Sequence, residues 1–177
     1  VNEEVVHAIP GERRIQDGDI VSIDAGAVVS GLYGDAAITV MVGSASPIAR
    51  RLVETTRLAL AEGIKQAGIG HRLSDISPAG QQAVEREGCG VVRDFGGHGI
   101  GRAMHEEPAI PNFGPPNTGP RLKSGMVLAI EPMVTLGSYE VRVLPDGWTA
   151  VTRDGSLAAH FEHTVAITEQ GTEVLTA

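Results

Sequence analysis

Two segments that have the composition of β-strands are interrupted by aspartate. Residues 20–29 are rich in β-branched and small side chains but contain Asp24, and the next such segment contains Asp35. Aspartate is disfavoured in strands, so both positions need a local reason. The pair Ser30–Gly31 between the segments predicts a tight turn. With that turn, we expect Asp24 opposite Ala37 and Asp35 diagonally across from it, so that one face of a hairpin carries both carboxylates.

Two glutamates interrupt later strand-like segments in the same way. Glu131 lies in residues 125–134 and Glu162 lies in residues 160–168. Successive side chains in a strand point to opposite faces. Each glutamate therefore shares a face with small or polar neighbours, while the bulkier apolar side chains lie on the other face.

Four carboxylates embedded in strands are costly, because a buried carboxylate favours its protonated form and neighbouring negative charges repel each other. Two divalent cations would cancel the four negative charges. The pattern therefore predicts a site for two metal ions. The sequence leaves open a second interpretation, in which each acid is a salt-bridge partner at a strand end or faces solvent.

A glycine-rich stretch surrounds His98, with glycines at 97, 99 and 101. Neutral imidazole is a common ligand of transition metals, and one histidine among carboxylates favours Mn, Fe, Co or Zn over Ca or Mg. A dinucleotide-binding loop is the alternative, but Pro108 follows soon after and no strong helix is predicted there. We predict that residues 96–119 form a long functional loop, preceded by a short strand over residues 91–95.

Helical spacing of apolar residues predicts two helices, over residues 47–67 and 74–87. Together with the strands they predict a single α+β domain spanning residues 1–177, a mostly antiparallel sheet with two helices over one face. The net charge of −8 does not favour a nucleic-acid-binding surface. No segment is long and apolar enough for a membrane span. The single cysteine excludes an internal disulfide, and no Gly-x-Ser-x-Gly motif supports a serine hydrolase.

Seven short stretches, in order along the whole chain, resemble the type I methionine aminopeptidases of the bacterial class. They are Asn2–Pro10, Ile23–Gly26 with Gly34–Asp35, Gly97–Gly101, His105–Pro108, Ile130–Met133, Asp146–Trp148 and Phe161–Thr164. The resemblance implies the pita-bread fold of creatinases and aminopeptidases, with a dimetal site between two related halves.

The same resemblance assigns the metal ligands. Asp24 would bind one of two divalent ions (Co, Mn, Fe or Zn), and His98 with Glu131 would bind the other. Asp35 and Glu162 would bridge both ions. A hydroxide between the metals would then attack the first peptide bond of a chain that begins with methionine.

Substrate contacts follow from the resemblance as well. His105 would hydrogen-bond the substrate carbonyl, His7 would contact the scissile amide nitrogen, and Glu131 would accept a proton from the attacking water. Met104 and Trp148 would line the pocket for the methionine side chain. Many relatives carry an aromatic residue where this chain has Met104, but methionine is flexible and apolar, so selectivity for methionine is expected to persist.

The family context implies the partner and the location. The expected substrate is the N-terminus of a nascent polypeptide, which implies a cytoplasmic enzyme near the ribosome and, as we predict, a monomer. Members of the family carry a further N-terminal segment before the position that matches Val1. We therefore expect the given chain to lack that part of the fold.

Two other functions stay open at this point. X-Pro aminopeptidases and prolidases share the fold and the five ligands, although the stretch from His98 to Pro108 favours the methionine enzyme. A non-catalytic peptide-binding module is the second alternative. Such modules generally lose metal ligands, and all five matching ligands are present here.

Overall fold

The computed structural model describes residues 1–177, which form thirteen strands, two α-helices and one 3₁₀ turn. The strands are β1 (Glu4–Val6), β2 (Ile20–Val29), β3 (Leu32–Met41), β4 (Gly90–Val91), β5 (Gly96–Gly99), β6 (Glu106–Pro111), β7 (Val127–Ile130), β8 (Met133–Thr135), β9 (Val141–Val143), β10 (Ala150–Thr152), β11 (Ala158–His160), β12 (Glu162–Thr168) and β13 (Gly171–Val174). The helices are α1 (Pro47–Gln66) and α2 (Ile76–Arg86), and the 3₁₀ turn is Leu73–Asp75.

Local chemistry starts α1 where the sequence predicts. The Ser46 hydroxyl accepts a hydrogen bond from the Ala49 amide, and Pro47 occupies the first turn, where its missing N–H costs nothing. The predicted second helix is α2, preceded by the 3₁₀ turn rather than beginning at residue 74. Neither helix has both the length and the apolar character that a membrane-spanning helix requires.

The principal sheet is antiparallel throughout, as expected. Its strand order is β2-β3-β12-β7-β5-β6, and β13 pairs with β12. Leu60 of α1 and Ile76 of α2 belong to the same buried apolar cluster as Ile130 and Val165 of the sheet. The helices therefore cover one face of the sheet and leave the other face for polar side chains. Two small three-stranded sheets, β1-β10-β9 and β11-β8-β4, complete the α+β architecture.

The predicted loop over residues 96–119 is wrong in its first half. Strands β5 and β6 occupy it, and the strand predicted over residues 91–95 is replaced by β4 and β5 on either side. The sequence did not predict β5 because the segment is rich in glycine, which is usually depleted in strands. Here the glycines are required by close packing. A side chain at Gly97 would overlap the Ala129 carbonyl oxygen of β7, and one at Gly99 would overlap the Glu107 carbonyl oxygen.

Two predicted strands are each divided in two. The strand over residues 125–134 breaks at Glu131 and Pro132 into β7 and β8, since proline has no N–H to donate to a ladder. The strand over residues 160–168 breaks at Phe161, with His160 ending β11 and Glu162 beginning β12. Both breaks occur beside an acidic residue.

The side chain of Thr164 on β12 forms hydrogen bonds with the backbone of Asp35 on β3. Its hydroxyl accepts a hydrogen bond from the Asp35 amide at 2.9 Å and donates one to the Asp35 carbonyl at 2.8 Å. Both residues are buried. The hydroxyl therefore supplies the two bonds that Asp35 would otherwise lack at the point where regular pairing of these strands stops.

Replacement of Thr164 by valine should destabilise the fold strongly. Thr164→Val keeps the shape but leaves the buried amide and carbonyl of Asp35 without partners, at a cost of about 2–4 kcal/mol in the free energy of unfolding. Urea denaturation measures the loss. Thr164→Ser keeps the hydroxyl and should recover most of it. Thr168→Val removes an exposed hydroxyl of the same strand and serves as the control. Equal stability of both valine variants would contradict the interpretation.

Candidate metal centre

The β2–β3 hairpin places two carboxylates on one face, in the predicted register. Asp24 pairs with Ala37 and Gly26 pairs with Asp35. Residues directly opposite each other share a face, and so do residues two apart on one strand. The side chains of Asp24 and Asp35 therefore point to the same side, and the predicted register is confirmed.

The same row continues across the sheet to both glutamates. Ala37 also pairs with Glu162 on β12, and His163 pairs with Ile130 on β7. Continuation of that register puts Glu131, just past the end of β7, opposite Glu162. Neighbouring strands lie about 4.8 Å apart, so residues in one row are within reach of a shared ion.

His98 completes the row from β5. It pairs with Ala129, two residues before Glu131. Five consecutive strands of the sheet thus each provide one polar side chain on the face away from the helices, and Glu131, the fourth in this order, comes from just past the end of β7. The five side chains are, in strand order, those of Asp24, Asp35, Glu162, Glu131 and His98.

Ligand atoms of these residues lie close together. Potential ligand atoms of Asp35, His98 and Glu162 all lie within 4.8 Å of one another. The Nε2 atom of His98 is 3.5 Å from Oε1 of Glu131. Such spacing suits several ligands around one or two ions, and the mixture of carboxylate oxygen and imidazole nitrogen suits a divalent transition metal.

The backbone orients the His98 ring for metal binding. Its Nδ1 lies 2.9 Å from the carbonyl oxygen of Gly99, which can only accept a hydrogen bond. Nδ1 therefore carries the proton, and Nε2 presents its lone pair toward Glu131. Histidine ligands of metals commonly show this arrangement.

Burial and mutual repulsion raise the pKa of three carboxyls in the cluster. Burial, together with the charges of Asp24 and Asp35, raises the pKa of Glu131 to about 8. Burial, together with the other three carboxylates, raises the pKa of Glu162 to about 9. Partial burial and the nearby Asp35 raise the pKa of Asp24 to about 6.

The cluster fits a bound cation. Oε1 of Glu162 is buried and has no hydrogen-bond partner within the chain. A buried carboxylate oxygen without a partner is destabilising unless another group satisfies it. A divalent cation would satisfy this oxygen and would reverse the repulsion that raises the pKa values. Salt-bridge pairing with Lys or Arg, the alternative for these acids, is not observed at any of the four carboxylates.

His160 is a further member of the cluster that the sequence analysis missed. Its Nε2 lies 3.7 Å from Oε2 of Glu131, and potential ligand atoms of Glu131, His160 and Glu162 lie within 4.8 Å of one another. Complete burial lowers the pKa of His160 to about 4. The signal was available in the sequence, because strand alternation places residue 160 on the same face as Glu162.

His105 and Met104 approach the cluster from the turn between β5 and β6. The His105 ring centroid lies 4.3 Å from that of His98. The charge of His105 acts to lower the pKa of Asp24, against the dominant effect of burial. The thioether end of Met104 covers Gly26, where a side chain would displace it. Both residues therefore stand beside the face that carries the carboxylates.

His7 lies at the edge of a cavity of about 750 Å³ that also borders Asp24 and His160. Its backbone φ is +62°, a conformation that non-glycine residues rarely adopt. Its ring packs edge-on against Phe95, with centroids 5.3 Å apart. Uncommon backbone geometry of this kind often occurs at functional sites.

Trp148 stands apart from the cluster. It lies in the turn between β9 and β10 with 62% of its surface exposed, and the Asp146 carboxylate accepts hydrogen bonds from the Trp148 and Thr149 amides. Its indole forms no hydrogen bond with the carboxylates and no ring pair with His98. Its role in substrate binding stays a prediction.

An antiparallel sheet that carries four carboxylates and a histidine on its open face defines a metal-dependent hydrolase. The chain belongs to metallopeptidase family M24, whose family model matches residues 1–169. It is 56% identical to methionine aminopeptidase 1 of Bacillus subtilis over an alignment of 176 residues. This alignment covers 99% of the present chain and 71% of the Bacillus protein.

Solved structures agree with this family. The chain matches the methionine aminopeptidase of Thermotoga maritima with a TM-score of 0.97 and 55% identity, over 99% of this chain and 71% of that one. It matches the prolidase of Pyrococcus horikoshii with a TM-score of 0.76 and 23% identity, over 99% and 45% of the two chains. The prolidase likeness shows the fold alone, and the predicted creatinase/aminopeptidase-like fold is confirmed.

The raised carboxyl pKa values predict that metal binding strengthens as pH rises. At pH 7 the metal-free chain keeps protons on Glu131 and Glu162, whose pKa values are about 8 and about 9, so a cation has to displace them. Mn²⁺ affinity should increase from pH 6 to pH 8, with release of protons. Calorimetry in buffers of different ionisation enthalpy measures both quantities. Binding without proton release at pH 7 would contradict the assignment.

The same shifts set the stability of the metal-free chain. Both folded pKa values exceed the 4.5 of an ordinary glutamate, so the stabilising contribution is complete below pH 4.5 and is lost as pH rises through 8 to 9. Glu162→Gln removes one of these ionisations. The free energy of unfolding of the metal-free Glu162→Gln variant should therefore fall less between pH 6 and pH 9 than that of the unsubstituted chain.

Proposed function

We propose that this chain is an aminopeptidase that hydrolyses the first peptide bond of peptides and nascent proteins beginning with methionine. The observation that carries the proposal is the row of five ligands on the open face of the sheet. The names of the relatives from Bacillus subtilis and Thermotoga maritima support methionine as the residue released. Residues 1–177 are proposed to act as one catalytic domain.

Two divalent ions, of Co, Mn, Fe or Zn, are the proposed cofactors. Asp24 would hold one ion and His98 with Glu131 the other, while Asp35 and Glu162 would bridge them. Divalent cations supply Lewis-acid polarisation of the carbonyl and a lowered pKa for the attacking water. Four carboxylates match the charge of two such ions.

Glu131 is suited to proton transfer. Its Oε1 lies 3.5 Å from Nε2 of His98 and its Oε2 lies 3.7 Å from Nε2 of His160, and a carboxylate positioned beside the attacking water can accept its proton. We assign it the proton that leaves the attacking water. The same carboxyl would pass this proton to the departing amine.

Two histidines are proposed to bind the reacting amide. His105, beside His98, would donate a hydrogen bond to the substrate carbonyl and stabilise the oxyanion that forms on it. His7, at the cavity edge, would contact the scissile nitrogen. Met104 and Trp148 are proposed to contact the methionine side chain, which places the substrate between the β5–β6 turn and the β9–β10 turn.

The proposed substrate determines the cellular setting. Initiator methionine is exposed as a chain leaves the ribosome, so the activity is proposed to be cytoplasmic and close to the ribosome. The net charge of −8 does not favour direct binding of RNA. We propose a monomer, since the five proposed ligands lie within a single chain and the site does not need a residue from a second copy.

Peptide cleavage with and without metal tests the function. The chain, stripped with a chelator, should release no methionine from Met-Ala-Ser, and added Co²⁺ or Mn²⁺ should restore release. An Ala-Pro peptide is the matched substrate for the prolidase alternative and should remain intact. Cleavage of Ala-Pro alone would favour that alternative. Metal binding without cleavage of either peptide would favour a binding module, and absence of metal binding would exclude metal-dependent catalysis by this chain.

Removal of His105 should reduce catalysis without weakening metal binding. His105→Ala loses the proposed donor to the developing oxyanion, so kcat for Met-Ala-Ser should fall roughly 10²–10³-fold. Calorimetry should give an unchanged Co²⁺ affinity. His71→Ala, which removes a half-exposed histidine near Asp75, is the control and should leave kcat unchanged. Unchanged turnover in the His105 variant would remove its assigned role.

A further inference from the structure

His160 is a buried imidazole for which the proposed reaction has no assigned role. Its exposed fraction is 1%, and its Nε2 has no hydrogen-bond partner within the chain. Buried polar atoms are almost always paired, so an unpaired one in a functional cluster calls for a ligand or a function. This nitrogen faces Oε2 of Glu131 at 3.7 Å.

The backbone holds the ring in place. The Thr39 hydroxyl accepts a hydrogen bond from the His160 amide at 2.9 Å and donates one to the His160 carbonyl at 2.8 Å. His160 also pairs with Met133, two residues beyond Glu131. The backbone position of His160 relative to Glu131 is thus fixed by main-chain pairing and by a buried hydroxyl, and complete burial confines the ring.

The Glu131 carboxylate lies between two imidazoles. Oε1 is 3.5 Å from Nε2 of His98, and Oε2 is 3.7 Å from Nε2 of His160. A bridging water would need the two atoms to be about 5 Å apart, so none fits between His160 and Glu131. Either a direct N–H to oxygen hydrogen bond or a cation held by both side chains can satisfy both atoms.

We propose that His160 is a positioning residue, which donates its Nε2 proton to Oε2 of Glu131 and so leaves Oε1 directed toward the metal-binding side of His98. This assignment rests on the proposed metal-dependent function. An ionised carboxylate only accepts hydrogen bonds, so the proton in this pair belongs to the imidazole. At 3.7 Å the two atoms are beyond hydrogen-bond distance, so the proposal requires the Glu131 carboxylate to move about 0.5–0.8 Å closer to the imidazole.

Direct ligation of a metal by His160 is the competing role. A ligating histidine usually donates its second ring N–H to a fixed acceptor, as His98 does to the Gly99 carbonyl. The His160 ring makes no such hydrogen bond, and only its backbone groups are bonded. The chain therefore prepares His98 as a ligand but does not prepare His160 as one.

Metal titration of three variants tests the assignment. Calorimetry measures Co²⁺ affinity and the visible absorption of bound Co²⁺ reports its ligand field. His160→Leu should bind about 10–100-fold more weakly, the usual effect of losing a group that orients a metal ligand. His160→Gln keeps an N–H donor and should stay within about threefold of the unchanged chain, with the same absorption. His163→Leu, on the opposite face of β12, should bind normally.

Each outcome decides the assignment. Unchanged affinity in the folded leucine variant would overturn it. Equal loss in the leucine and glutamine variants, with altered Co²⁺ absorption in both, would show a direct ligand and would also overturn it. If circular dichroism shows the leucine variant to be unfolded, His160→Asn replaces it, since its shorter amide does not reach Glu131. Absence of Co²⁺ binding by the unsubstituted chain would refute both the proposed function and this assignment. If the unsubstituted chain binds Co²⁺ and the His160→Leu or His160→Asn variant binds it equally well, only the assignment is refuted.

Discussion

Repulsion among four carboxylates is the constraint on which the site depends. The sheet collects them on its open face, where burial first and then the neighbouring carboxylates raise the pKa of Glu131 to about 8 and that of Glu162 to about 9. Without cations the fold retains the cluster by keeping it partly protonated. With cations the same proximity becomes favourable, because each charge acquires a partner. The same clustering of carboxylates that destabilises the metal-free chain would therefore favour the binding of cations.

Local signals in the sequence predicted the parts of the site that short-range geometry determines. The turn at Ser30–Gly31 fixed the register that aligns Asp24 with Ala37, and Ser46 fixed the start of α1. The order of strands across the sheet was not predictable in this way. It joins residues more than a hundred positions apart, such as Asp35 and Thr164, and no local pattern encodes which distant strand lies next to which.

Packing requirements explain the remaining errors. The glycines of β5 resembled a flexible loop, but Gly97 lacks a side chain because the Ala129 carbonyl approaches it closely. His160 was missed for a different reason. Strand alternation predicts that residue 160 shares a face with Glu162, but only the folded chain buries its imidazole beside Glu131. An unpaired buried nitrogen becomes evident only when its surroundings are known.

Each of five successive strands contributes one of the five proposed ligands, so the proposed centre depends on correct strand pairing. A slip of one residue in any of these pairings would turn that strand's ligand to the helix-covered face and replace it with an apolar neighbour. Such a molecule could still be compact, but it would hold an incomplete set of donors and gain little from metal. Bound cations at the proposed site would therefore favour the native strand alignment over near-native ones, because only the native alignment offers the complete set of donors.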